Sequence, residues 1–216
     1  MKNILCYGDS NTWGLNPEWA KTGVRRLAWD IRWTGRLQAE LGSDYRVIEE
    51  GLNGRSTVFD DPTAPGRNGL EFLTICIESH LPLDLIIIVL GTNDTKTILN
   101  ANEYSIAVGM EMLIKAAKNP FLYTDHPVPE ILVAVPVPLG DGIAARTVSD
   151  SIDATSVAKS KNLAGYYKNL AELYKCHYID LGQYAAASEA DHVHLDGQAH
   201  AAIARAMGIK TKEILG

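Results

Sequence analysis

The sequence predicts an α/β fold, in which helices cover both faces of a doubly wound, mostly parallel sheet of about five strands. The alternation of short apolar runs with amphipathic segments along the chain is the first observation that indicates it. The second is the run 85–90, which is apolar at every position and is bounded by Asp84 and Gly91. Such a run is typical of a strand buried on both faces of a parallel sheet. Together they predict a three-layer α/β/α, flavodoxin-like arrangement.

The individual elements follow from apolar spacing and from turn-forming residues. The predicted strands cover residues 3–7, 45–49, 85–90, 131–135 and 178–179. The predicted helices, which carry apolar residues at helical spacing, cover residues 29–41, 68–80, 103–118, 153–175 and 197–213. Two long loops remain, at 14–27 and 137–152, and long loops within a compact domain tend to be functional. The chain contains no repeat or linker, so we expect one domain over residues 1–216.

The composition argues against several classes of protein. Hydrophobic residues make up 46% of the chain and charged residues 21%, which is typical of a folded globular protein. The net charge is −6 without long runs of either sign, which disfavours a nucleic-acid partner. The apolar runs are too short to cross a bilayer, and the amino terminus lacks a secretory signal. We therefore expect a cytoplasmic protein with no membrane partner.

The three cysteines are widely separated in the sequence. Cys6, Cys76 and Cys176 lack the paired spacing of metal ligands. They are interpreted as small buried apolar residues. We expect no metal site and no disulfide.

Polar residues follow four of the predicted strands. Ser10 follows the first strand, Asn53 and Gly54 follow the second, Gly91–Asp94 follows the third, and Asp191–His194 lies beyond the fifth. In a doubly wound sheet these loops share one edge, so their side chains can converge there.

The residue types in these loops suit nucleophilic catalysis. Ser10 offers a hydroxyl, which becomes a nucleophile only beside a base and an anion-stabilising pocket. His194 is the candidate base, with Asp191 three residues earlier to fix its tautomer. The N–H groups of Ser10 and Gly54 and the side-chain amide of Asn93 are candidate donors to an oxyanion.

Each motif also has a plainer interpretation. Gly-Asp-Ser is a common turn, and Asn53-Gly54 is a hairpin signal. The segment containing Asn93 could be a loop that caps the next helix through Asp94.

Two neighbouring residues compete with the proposed base and its partner. His192 also follows Asp191, although a histidine directly after its partner would usually point elsewhere. Asp196 is another possible orienting carboxylate, but it more naturally caps the last helix.

The complete set resembles the SGNH (GDSL) hydrolase family. The residues that carry the resemblance are Gly8-Asp9-Ser10, Gly54, Gly91-Thr92-Asn93-Asp94 and Asp191-x-x-His194. The segments Gly8–Gly14 and Glu50–Thr57 are similar to the small arylesterase and acyltransferase branch. The resemblance implies Ser10 as nucleophile, Asp191 and His194 as the rest of the triad, and Ser10, Gly54 and Asn93 as the oxyanion hole. It also implies no cofactor, a small-molecule ester substrate and a homo-oligomer.

The substrate pocket is less defined by sequence. Trp13, Leu15, Leu139 and Ile143 lie in or next to the two long loops. They are interpreted as walls of an acyl pocket, as parts of a subunit interface or as ordinary loop packing. Arg55 follows Gly54 and could serve either substrate binding or structure.

Three functions remain open at this point. The first is an esterase for short acyl groups, possibly with acyl transfer, and the second is a deacetylase of acetylated sugars. The third is a non-catalytic binding module of flavodoxin-like shape. A nucleotide site is disfavoured because no phosphate-binding glycine loop with lysine follows the first strand.

Overall fold

A five-stranded, all-parallel sheet lies at the centre of the computed structural model, which describes residues 1–145 and 151–216. The strand order is β2-β1-β3-β4-β5, and each neighbouring pair is parallel. This confirms the predicted fold class, because the order is that of a flavodoxin-like doubly wound sheet. The strands are β1 (Lys2–Gly8), β2 (Tyr45–Gly51), β3 (Leu85–Val89), β4 (Glu130–Val135) and β5 (His177–Asp180).

Helices cover both faces of the sheet. On one face α4 packs against α5, and α5 against α6; on the other, α3 packs against α7. Among the described helices none is long and apolar enough to span a membrane. The helices are α1 (Ser10–Trp13), α2 (Trp19–Thr22), α3 (Trp33–Leu41), α4 (Gly69–His80), α5 (Glu103–Ala117), α6 (Ala154–Tyr174) and α7 (Gly197–Leu215).

The central strand β3 explains why its sequence is apolar throughout. Ile86 and Ile88 enter the core beneath α4, α5 and α6, whereas Leu85 and Ile87 enter the core beneath α3 and α7. Alternate side chains of a strand point to opposite faces, and here both faces are buried. All five residues of β3 are therefore buried.

The structure corrects the start of the predicted helix 29–41. Helix α3 begins at Trp33, and Arg32 before it has an extended backbone. The preceding segment folds back against the helix, because a Cβ atom at Gly35 would lie 2.0 Å from the Trp29 carbonyl oxygen. Trp29, which falls within the predicted helix, is 43% exposed.

The two long loops are partly ordered. Loop 14–27 contains the short helix α2, and Leu15 pairs with Arg26 as an antiparallel bridge. Loop 137–152 contains a 3₁₀ helix, Asp141–Ala145, and its residues 146–150 lie outside the described residues. All three cysteines are free thiols; Cys6 is buried as predicted, whereas Cys76 and Cys176 are only partly buried.

The register of the strands places the following loops on one edge. Gly8 at the end of β1 pairs with Gly51 of β2 and with Val89 of β3. Ser10, Gly54 and Asn93 each lie two to four residues beyond these paired positions. The sheet thus brings the three candidate oxyanion residues to the same end of neighbouring strands.

Candidate active site

Ser10, His194 and Asp191 form a continuous hydrogen-bonded chain of side chains. His194 Nε2 lies 2.9 Å from Ser10 Oγ, and His194 Nδ1 lies 2.6 Å from Asp191 Oδ2. The nucleophile–base and base–carboxylate distances both fall within the range of hydrogen bonds that such triads require. Residues 184 positions apart in the sequence meet at this point.

Helix α1 orients the Ser10 side chain. It begins immediately after β1, and Asp9 caps it by accepting a hydrogen bond from the Asn11 N–H at 2.9 Å. Gly14 ends the helix in the left-handed region, with φ +86°. Ser10 is therefore held on one turn of helix at the end of a central strand.

Asn11 joins this turn to the loop that carries His194. Its Oδ1 accepts from the Leu195 N–H at 3.1 Å, and its Nδ2 donates to the Val193 carbonyl at 3.3 Å. These two bonds flank His194 in sequence and fix its distance from Ser10. Sequence reasoning missed Asn11, because both of its partners are backbone atoms; its only signal is its place directly after the serine.

Asp191 contacts both the backbone and the ring of His194. Its Oδ1 accepts from the N–H groups of Val193 and His194, at 3.0 and 2.8 Å, and its Oδ2 faces the His194 ring. Burial alone would raise the pKa of Asp191, but the hydrogen bonds and charge of His194 bring it below its usual value. The ionised carboxylate keeps the proton on Nδ1, which leaves Nε2 free to accept from the Ser10 hydroxyl.

His192 takes a different course from His194. Its backbone has φ +59°, and its carbonyl accepts from the Gly140 N–H at 2.8 Å. Its ring lies so close to Gly142 that a Cβ atom there would approach Nε2 to 2.1 Å. Of the two histidines after Asp191, the structure brings His194 to Ser10 and packs His192 on the loop after β4.

The candidate oxyanion donors lie in adjacent loops. Gly54 has φ +80°, a conformation that favours glycine. Asn93 is buried at the start of a 3₁₀ turn, Asn93–Thr95, and its Nδ2 donates to the Arg55 carbonyl at 3.1 Å. This bond ties the loop after β3 to the loop after β2. That the N–H groups of Ser10 and Gly54 and the amide of Asn93 act on one oxygen stays a prediction.

Asp94 does not cap the following helix, which was one interpretation of its segment. Its carboxylate is buried and accepts from the N–H and the hydroxyl of Thr57. Burial raises its pKa to about 6, although the bonds from Thr57 act in the opposite direction. Helix α5 is capped instead by Asn102, whose Oδ1 accepts from the Ser105 N–H.

Leu139 and Ile143 are buried. They form a small apolar cluster with Val193, next to His194, and with Ile152 and Val157. This placement supports the loop-packing interpretation, because each is only 2% exposed. Contact with substrate stays a prediction for both.

Trp13 and Leu15 lie just after the nucleophile and are partly exposed. Arg26 stacks 4.7 Å above the Trp13 ring and donates from Nε to the Trp13 carbonyl at 2.8 Å. Leu15 is held by its bridge to the same arginine. The role of both residues in substrate binding also stays a prediction.

Arg55 was predicted to contact either substrate or structure, and its contacts are structural. Only 4% of the residue is exposed, and its guanidinium donates to the carbonyl oxygens of Gly8 and Glu50. Its own carbonyl accepts from Asn93.

The remaining candidates have separate roles. Asp196 caps α7, as expected, by accepting from the N–H groups of Gln198 and Ala199 at 2.9 and 2.8 Å. His200 is fully buried within α7, where its Nδ1 accepts from the Trp33 N–H at 3.1 Å. Within residues 1–145 and 151–216, no three His, Cys, Asp or Glu side chains are grouped so as to hold a metal ion.

Comparison with known proteins identifies the family to which the chain belongs. Residues 6–202 match the GDSL-like lipase/acylhydrolase family. A comparison with curated sequences gave no match. The chain therefore belongs to the GDSL-like lipase/acylhydrolase family, and its structure has the three-layer α/β/α fold of SGNH hydrolases.

The solved structures narrow the class to esterases. The native aryl esterase of M. smegmatis shares 37% identity with a TM-score of 0.93, with 100% of both chains covered. A carbohydrate acetylesterase from Sinorhizobium meliloti shares 35% identity with a TM-score of 0.93, again over 100% of both chains. A member of the lipolytic G-D-S-L family from Veillonella parvula shares the fold alone, at 15% identity and a TM-score of 0.67, covering 100% of this chain and 98% of that one. The protein is thus a carboxylic ester hydrolase.

Proposed function

We propose that this esterase hydrolyses esters of short acyl groups, acetyl above all, through an acyl-enzyme on Ser10. The observation that carries the proposal is the hydrogen-bonded chain from Ser10 through His194 to Asp191. Side chains in this arrangement convert a weakly nucleophilic hydroxyl into an effective nucleophile.

The proposed reaction has two halves. His194 Nε2 removes the Ser10 proton as Oγ attacks the ester carbonyl, and the carbonyl oxygen becomes an oxyanion beside the N–H groups of Ser10 and Gly54 and the amide of Asn93. His194 then gives the proton to the leaving alkoxide, which departs as an alcohol. Water, or another alcohol in acyl transfer, attacks the acyl-serine with His194 again as base, and Ser10 is regenerated.

A chemical-labelling experiment tests the nucleophile. A serine-directed organophosphonate should label one serine in the wild type and none in Ser10→Ala, since the hydroxyl that forms the bond is absent. Ser79→Ala, an exposed serine of α4, is the matched control and should be labelled like the wild type. Undiminished labelling or ester turnover in Ser10→Ala would overturn the assignment of Ser10 as the nucleophile.

A second candidate substrate is an acetylated sugar. It is favoured by the likeness to the S. meliloti carbohydrate acetylesterase. Comparison of kcat/KM for acetylated xylose and xylo-oligomers with that for aryl acetates separates the two candidates. A sugar deacetylase should prefer the acetylated sugars, whereas activity on aryl acetates alone fits both, because a reactive serine accepts many activated esters.

The balance of hydrolysis and acyl transfer is a further part of the proposal. If the site excludes water during the lifetime of the acyl-enzyme, rising concentrations of an added alcohol should transfer more of the acyl group to the alcohol and less to water. The ratio of new ester to free acid measures the partition. A ratio that stays at zero would restrict the protein to hydrolysis.

A further inference from the structure

Arg55 is a buried cation that the proposed reaction does not use. Its Nη1 donates to the Gly8 carbonyl at 2.9 Å and also to the Glu50 carbonyl. Gly8 is the last residue of β1, two positions before Ser10, and Glu50 lies near the end of β2. One nitrogen therefore links the carboxyl ends of the two neighbouring strands.

The Arg55 guanidinium lies over an aromatic ring. It lies 4.0 Å from the centre of the Tyr7 ring, a distance typical of a cation–π contact. The Tyr7 hydroxyl donates to the Gly69 carbonyl at 2.6 Å in a buried bond, so the ring itself is anchored to the start of α4. The donors of a guanidinium all lie in its plane, so the contact with the ring restricts where they can point.

The backbone of Arg55 connects to the third strand's loop. Its carbonyl accepts from Asn93 Nδ2 at 3.1 Å, and its N–H donates to the Leu52 carbonyl at 3.1 Å. Gly54, a candidate oxyanion donor, is the adjacent residue. Arg55 thus contacts Gly8, two positions before Ser10, and the side chain of Asn93, and it directly follows Gly54 in the chain.

We propose that Arg55 is a positioning residue, which sets the spacing between the Ser10 nucleophile and the two oxyanion donors Gly54 and Asn93. The inference rests on the proposed function, in which those groups surround one tetrahedral centre. A misplaced oxyanion donor weakens the transition state more than the bound ester, so loss of the arginine should lower kcat and leave KM nearly unchanged. A substrate-binding role would instead raise KM.

Two substitutions separate positioning from packing. Arg55→Met keeps the apolar bulk over Tyr7 but removes the donors, and we expect kcat to fall about 10- to 100-fold with KM within about threefold. Arg55→Lys keeps a donor for the carbonyls without the planar stack, so kcat should recover partway to the wild-type value. Arg46→Met is the control, since Arg46 is exposed on β2, the strand that precedes Arg55, and it should leave kcat unchanged.

Two kinetic results would contradict a positioning role for Arg55. A normal kcat in Arg55→Met, or a raised KM with unchanged kcat, would overturn the positioning role. If near-UV circular dichroism shows that Arg55→Met does not fold, Arg55→Lys carries the test, and an unchanged kcat there would overturn the inference.

A double-mutant cycle asks whether Arg55 acts through Asn93. If it does, Arg55→Met should lower kcat much less in the Asn93→Ala background than in the wild type, because the donor that Arg55 positions is already absent there. Losses that multiply would count against the inference. Labelling of wild-type Ser10 by the organophosphonate is measured in parallel. Absence of labelling would mean that the proposed function is wrong. Normal labelling together with multiplying losses would mean that only the inference about Arg55 is wrong.

Discussion

Asn93 is the one side chain among the proposed oxyanion donors, and it can therefore be removed by mutation. Removing one such donor typically costs about 10²–10³ in turnover. We expect Asn93→Ala to keep its fold and to lose kcat on that scale toward an aryl acetate. Asn169→Ala, which removes an exposed amide from α6, is the control. A near-normal rate in Asn93→Ala would count strongly against the oxyanion role.

The pKa of His200 leads us to expect that the stability of the fold, rather than catalysis, depends on pH. Burial lowers its pKa to about 4, whereas the unfolded chain has the ordinary value of 6.5. Between these two values the unfolded state binds the proton and the folded state does not. The stabilisation is therefore complete above pH 6.5 and is lost progressively as the pH falls towards 4.

The variant His200→Gln isolates this effect, because it retains an acceptor for the Trp33 N–H without a titrating ring. Between pH 7.5 and pH 5.0, the wild type should lose about 2 kcal/mol more of its free energy of unfolding than the variant loses. Urea unfolding at the two pH values measures the difference. The raised pKa of Asp94 acts in the opposite direction but is common to both proteins, so it cancels. Equal pH dependence in the two would show that His200 does not titrate in this way.

At the scale of single residues, the sequence allowed prediction of side chains whose chemistry is explicit. Ser10, Asp191 and His194 were proposed from their types and spacing, and the structure brings them together. The sequence indicates no role for Asn11, and it does not decide between a substrate-binding and a structural role for Arg55. Both act on backbone carbonyl and N–H groups, which every residue possesses, so no residue type marks their partners.

The contact between β2 and α1 gives a prediction at the scale of elements. A Cβ atom at Gly51 would lie 2.2 Å from the Trp13 backbone nitrogen, so Gly51→Ala must push the turn that bears Ser10 away from the sheet. We expect Gly51→Ala to lose about 1–3 kcal/mol of stability and to lower kcat, because the added methyl group cannot be accommodated without backbone movement.

The control for this prediction is another glycine-to-alanine change. Gly165 lies exposed within α6, and apart from its chain neighbours and the nearby helix backbone no atom lies within 4 Å of the Cβ position. Gly165→Ala should raise stability by about 0.5–1 kcal/mol, since glycine disfavours a helix interior, and should leave activity unchanged. Thermal unfolding and ester turnover are measured for both variants. Unchanged kcat and stability in Gly51→Ala would refute the packing argument.

The elements that could be predicted well are those whose periodicity is simple. β3 is apolar throughout because it is covered on both faces, and this pattern is visible in the sequence. The start of α3 could not be predicted, because Trp29 and Ile31 continue the helical spacing in a segment that folds back on Gly35. Tertiary contact, which the one-dimensional pattern does not contain, decides the boundary there.

At the scale of the whole molecule, we propose that the protein associates with copies of itself. The proposal follows from the family resemblance and is supported by exposed apolar side chains on α4 and α5, among them Ile75, Tyr104 and Met112. Light scattering after size-exclusion chromatography should give at least twice the mass of one chain. A mass equal to one chain across a series of concentrations would contradict it.

The order of strands and helices made the architecture of the molecule predictable from the sequence. Alternating strands and helices allow few arrangements, because crossovers between parallel strands are almost always right-handed. That order alone predicts that four loops meet at one edge of the sheet. The walls of the substrate pocket were not predictable in the same way, because they depend on how the loops containing Trp13 and Leu139 fold.

The distance in sequence between Ser10 and His194 has a consequence for folding. The bond that joins them spans 184 positions, so the site cannot assemble until the loop that carries His194 has reached the end of β1. Contacts between remote parts of a chain close large loops at an entropic cost and tend to form slowly. During refolding, we expect esterase activity to return no earlier than the circular-dichroism signal of the helices. The recovery of esterase activity would then report when the contact between the two ends of the chain forms.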